Sequence, residues 1–119
     1  WTPTISSGYT SITYSNQHGW YTKVGRLAVV SARVLFSGTS NSTQIQVGSL
    51  PFTAANLGGG AYGGGGIPYS TLSEITNTSP YVGGSTNYVN FYTLGTGGAI
   101  NSSGSASTKW ISFVVSYSV

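Results

Sequence analysis

The chain has 119 residues, four Lys and Arg side chains, one carboxylate side chain, one His and no Cys. That length suits one domain, residues 1–119, with a core covering roughly two thirds of the unfolded chain's surface. Only 4 % of residues are charged, against about a quarter in ordinary domains. This excludes a basic nucleic-acid face, a carboxylate-rich metal cage and a disulfide framework.

Taken from the start, the periodicity is two. Thr10, Ile12 and Tyr14 alternate with Ser11 and Thr13, the polar run Asn16–Gly19 predicts a turn, and Trp20–Val24 resumes an extended segment. The longest strand is expected over Arg26–Phe36. Ala28, Val30, Ala32, Val34 and Phe36 form its core face, with Arg33 pointing outward or into an interface. A polar turn at Ser37–Ser42 precedes a strand at Thr43–Val47, and Leu50, Pro51 and Phe52 form an apolar knot. The glycine-rich middle, Ala54–Gly66, marks bulges or close backbone approach. Strands are then expected at Tyr69–Ile75, Tyr88–Leu94 and Lys109–Val119, with a turn at Asn77–Pro80 and a flexible stretch over Gly95–Ser107. No segment carries a helical stripe with caps. The fold class is therefore all-β, a β-sandwich or jelly roll of about eight antiparallel strands.

Catalytic and metal constellations lack named partners. Glycoside hydrolysis needs two carboxyl groups and Glu74 is alone. A Ser-His-Asp triad has no Asp to orient His18. His18 and Glu74 supply two zinc ligands where three or four are required. The expectation is a protein that is not an enzyme, with no cofactor and no metal. His18 reads as a turn residue and Glu74 as a solvated or ion-paired surface group. The glycines at 58–66 lack the helix and lysine of a phosphate loop. The Asn-x-Ser/Thr triplets at Asn41, Asn77 and Asn101 are expected by chance in so Asn-, Ser- and Thr-rich a chain. No apolar run approaches the roughly 20 residues needed to cross a bilayer as a helix, so no membrane insertion is expected.

Flat rings flanked by neutral amides and hydroxyls suit sugar binding. Trp20, Tyr62, Tyr69, Tyr81, Tyr88 and Tyr92 are the candidate ligand-binding residues. Against this stands the ordinary role of a strand tyrosine, half-buried packing in a core or subunit interface.

The motif order adds a context. Trp1-Thr2-Pro3 is followed by Gly19-Trp20-Tyr21-Thr22-Lys23-Val24-Gly25, then by the Val-rich strand, by Gly48-Ser49-Leu50-Pro51-Phe52, and by the alternating close Trp110–Tyr117. This resembles the C-terminal domains of bacteriophage tail-fibre and tailspike-like proteins across essentially the whole chain. Ser49, where the pattern prefers Gly, and the glycine-rich middle are its departures. The resemblance implies a β-sandwich that forms a homotrimer, sits on the virion outside the cell, contacts other virion proteins and recognises a host surface glycan. It implies scaffold roles for Tyr21, packing under the strand, and Lys23, reaching carbonyls or Glu74. Receptor contacts are expected in the loops Gly58–Tyr69 and Ser79–Tyr88. The start at Trp1 without Met suggests a piece of a longer chain. Two alternatives stay open: a structural capsid-decoration or fibre-shaft protein without a ligand, and a carbohydrate-binding module of a secreted enzyme.

Overall fold

The computed structural model describes residues 1–58 and 63–119. Eight strands run β1 (Thr4–Ser7), β2 (Tyr9–Val24), β3 (Leu27–Ser40), β4 (Gln46–Gly48), β5 (Gly63–Ser70), β6 (Thr78–Val82), β7 (Val89–Thr93) and β8 (Ala106–Ser118). A 3-10 turn at Ser73–Ile75 is the one helical element among the described residues. All strand pairings are antiparallel. The all-β expectation and the strand number therefore hold.

The strands form one sheet in the order β1-β4-β7-β6-β5-β8-β3-β2. Its two ends come together, so the sheet is a nearly closed barrel. The Trp1 nitrogen donates to the Gly19 carbonyl (3.1 Å), the Gln17 amide to the Pro3 carbonyl (2.8 Å), and the Ile5 N–H to the Tyr14 hydroxyl (2.7 Å). These ties, one from the N-terminal ammonium and two through side chains, replace the ladder that would close β1 onto β2, and they cover an edge that would otherwise be open to other chains.

Alternation decides which side chains fill the interior. Val30, Val34 and Phe36 of β3 and Ile111, Phe113 and Val115 of β8 are buried from solvent. Ile45, Val47, Val82, Val89 and Phe91 complete the centre from the opposite wall. Arg33 lies on the outer face, its guanidinium 4.0 Å from the centre of the Trp110 ring. A cation–π contact of this exposed kind contributes about 0.5–1 kcal/mol.

Four sequence expectations are corrected. Residues Asn16–Gly19 are not a turn but the middle of the 16-residue β2, which absorbs its irregularity as bulges between Thr10 and Thr13 and between Tyr14 and Asn16. The polar run after Phe36 stays in β3 as far as Ser40, paired with Tyr9. The expected strand Tyr69–Ile75 ends at Ser70 and gives way to the 3-10 turn. The expected turn Asn77–Pro80 contains the start of β6, where Thr78, Pro80 and Val82 are buried in alternation. Residues 59–62, including Tyr62, lie outside the described residues.

The quoted motifs meet in space. The Trp1 ring covers Gly19 so closely that a Cβ there would stand 2.4 Å from the indole nitrogen. Tyr21 packs edge-on against Phe52, with ring centroids 5.3 Å apart. Lys23 donates to the Gly25 carbonyl at 2.7 Å and lies 5.8 Å from the Phe52 ring centre. Its ammonium thus reaches a carbonyl, not Glu74.

Ser49 has φ +62°, the left-handed region where a Cβ is crowded and glycine is not. Ser49→Gly removes that crowding at the cost of an exposed hydroxyl contact with Thr4 (3.0 Å). It is expected to raise stability by about 0.5–1 kcal/mol, read as a higher midpoint in urea; a lowered midpoint would contradict the strain argument.

Candidate functional site

The outer face of the sheet is laid out by register. Thr22, Val29, Ser116, Gly64, Tyr81, Asn90 and Gln46 are successive cross-strand partners from β2 to β4. Directly paired residues share a face, so Tyr81 points outward. Tyr92 pairs with Ser79, one diagonal step away, and its ring meets Tyr81 edge-on at 5.2 Å with the planes at 77°. Both rings are half-buried. With Ser79 and Gly97 they line a shallow hollow of about 360 Å³.

A larger open hollow of about 590 Å³ adjoins it. One wall is β5, from Gly65 to Ser70; the other is the segment from Ile75 to Ser79, with Leu94 at the side. Ser79 lines both hollows. Tyr69 is 55 % exposed on the first wall and Leu94 is 61 % exposed beside it. Among the described residues, no Lys, Arg, His, Asp or Glu lines either hollow.

Three of the sequence-predicted aromatics, Tyr69, Tyr81 and Tyr92, are thus gathered around adjoining hollows. Tyr88 is half-buried just before β7 and is not part of the lining of either. Trp20 is separate. It shares a row with Ser31, Val114 and Gly66, which puts it three strand spacings from β5, about 14 Å along the sheet. There it is 58 % exposed, stacked on His18 with centroids 5.7 Å apart. His18 is therefore a strand residue under an indole, not a turn residue. Trp20, Val24, Leu27, Val29 and Val114 leave an exposed apolar strip on this side.

Gly66, Pro68 and Ser79 fall in the segments expected to carry receptor contacts, although these are largely the strands β5 and β6 rather than loops; Leu94 lies outside them. The readable signal was the alternation of buried Thr78, Pro80 and Val82, obscured by a proline, which ordinarily counts against a strand.

Glu74 ties loops together away from the rings. Its carboxylate accepts from the Ser73 hydroxyl (3.1 Å) and from the Ser103 N–H and hydroxyl (both 3.2 Å). Partial burial raises its pKa, but these bonds and its own N–H outweigh burial, so the group ends below its ordinary value. Burial first, and the nearby Glu74 charge second, push the Tyr9 phenol far above its ordinary range. That phenol is enclosed without a well-formed hydrogen bond. Among the described residues, no three of His, Cys, Asp and Glu stand close enough to hold a metal ion. No described helix is long and apolar enough to cross a membrane.

The chain matches no family model, no curated protein and no solved structure.

Proposed function

We propose that this chain is a non-catalytic surface module of a bacteriophage tail fibre or similar virion appendage, which assembles as a homotrimer and attaches to a host surface glycan. The observation that carries the attachment reading is the outward Tyr81–Tyr92 pair opening onto an uncharged hollow. A sugar offers flat C–H faces and neutral hydroxyls, and this surface offers aromatic rings, Ser79 and backbone groups to match. Assembly is supported by the strip of Trp20, Val24, Leu27, Val29 and Val114, apolar side chains that a soluble monomer would leave in water. The flattened extents, 39 × 30 × 22 Å, support treating the barrel as two facing layers, a sandwich or jelly-roll arrangement.

Labelled protein incubated with susceptible bacteria is expected to bind, and Tyr92→Ala to weaken binding by about tenfold, or about 1.4 kcal/mol. Absence of adhesion to every host tested would sink the attachment reading. A second reading, a structural virion protein without a ligand, is favoured by the same apolar strip. It predicts the trimer in sedimentation with no adhesion.

A further inference from the structure

Resting on the attachment reading, we propose that the cleft between β5 and β6 continues the tyrosine site, that Gly64 and Gly66 keep it bare, and that its ligand is an uncharged oligosaccharide of more than one ring.

The cleft is a gap in the sheet. β5 pairs with β6 only at Gly63–Val82 and Gly64–Tyr81. The next partners in register would be Gly65 and Pro80, and proline has no N–H to give. Further along β5 stands Pro68, with the β5–β8 register shifting between Gly66 and Tyr69. Pro68 on the β5 wall and Pro80, just beyond the other wall, stop the strands from zipping together. The lining hydroxyls and amide, from Ser70, Thr76, Asn77, Thr78 and Ser79, supply polar groups for a ligand's hydroxyls.

The glycines of β5 fall into two classes. Gly63 and Gly65 are required by their own fold, since an added Cβ would stand 2.6 Å from the Ser116 oxygen and 1.7 Å from the Val114 oxygen. Gly64 and Gly66 are not. Among the described residues, a Cβ on Gly64 would find only the Pro80 oxygen, at 3.9 Å, and one on Gly66 would meet nothing within 4 Å. Neither has a left-handed φ. Glycine in a strand interior is costly without such a need, so the need lies outside the chain, in a ligand that approaches the backbone closely.

The ligand's charge follows from the lining. Among the described residues the hollows are lined by hydroxyls, an amide, phenol rings and backbone, with no cationic or carboxylate side chain. An anionic glycan would find no cation there to offset its desolvation. A neutral chain running from Tyr69 past Ser79 to Tyr81 and Tyr92 avoids that charge-desolvation cost.

The test is an array carrying neutral, sialylated and phosphorylated glycans and unrelated peptides, followed by titration of the full chain with the strongest neutral glycan. Neutral glycans are expected to bind, with affinity changing less than about twofold between about 0.05 and 0.5 M salt. Gly66→Leu is expected to cut affinity at least about tenfold while leaving the melting temperature unchanged, because the fold has room for the side chain. Leu94→Ala, on an exposed residue, should lower affinity several-fold and covers the case in which Gly66→Leu does not fold. Binding confined to anionic glycans or to peptides overturns the proposal. So does full affinity in both variants; if Tyr92→Ala still abolishes binding there, the cleft fails but the attachment reading stands.

Discussion

Gly65→Ala is expected to destabilise the protein by about 3 kcal/mol or more, whereas Gly66→Ala, one residue away, should leave it unchanged or up to about 1 kcal/mol more stable. The contrast comes from what each new methyl meets. At position 65 the Cβ would stand 1.7 Å from the Val114 oxygen and 2.7 Å from its carbonyl carbon. Both are backbone atoms of β8, which cannot rotate aside as a side-chain tip can. β5 must therefore move away, and with it the pairing of Gly64, Gly65 and Gly66 to Ser116, Val115 and Val114. At position 66 the methyl enters open space on an ordinary extended backbone, and the gain is the entropy the unfolded chain no longer has. For a chain of this size the Gly65→Ala loss corresponds to a fall in melting temperature of about 10 °C or more. Equal melting curves for the two variants would show that β5 does not lie against β8 as described.

The same strand marks the limit of what a sequence pattern can convey. β3 and β8 are legible because one face of each is unbroken by polar residues, as in Ala28 to Phe36 and Ile111 to Val115. β5 has no such face. Gly63 to Gly66 carry no hydrophobic alternation, and the fact that fixes them, the closeness of Val114 and Ser116, belongs to a strand some fifty residues later. β2 hides its continuity differently. Asn16 to Gly19 have turn composition, yet their partners in β3 from Leu35 to Ala32 hold them extended, and pairing overrides local preference. The site divides in the same way. The outward direction of Tyr92 can be guessed from strand parity, whereas Tyr81 lies where the sequence predicts turn and loop and the structure places β6. That Tyr81 meets Tyr92 while Trp20 lies several strands off is decided by the order of the sheet, which one-dimensional spacing does not carry. The cleft depends on Pro68 and Pro80 falling on facing strands, again a matter of register.

Removing the Phe91 ring should be the costliest side-chain truncation, about 3–5 kcal/mol for Phe91→Ala. Phe91 belongs to β7 and Phe113 to β8, strands that are not neighbours in the sheet, so their contact spans the interior of the barrel. The rings meet edge-on, centroids 6.1 Å apart and planes at 69°, and both are almost wholly removed from water. Truncation loses the transfer energy of the ring and leaves a cavity that the ladders on either side cannot collapse into. A domain of this kind has about 5–15 kcal/mol of stability in all, so the variant should be only marginally folded at 25 °C, as read by urea titration. The double variant Phe91→Ala, Phe113→Ala separates pair from parts: a coupling of about 0.5–1.5 kcal/mol is expected from the edge-on contact. A Phe91→Ala loss below about 1 kcal/mol would mean that the two walls do not share a core. The outward Tyr92, next along the strand, would then no longer be held against Tyr81, and the surface site would lose its rigid support along with the interior.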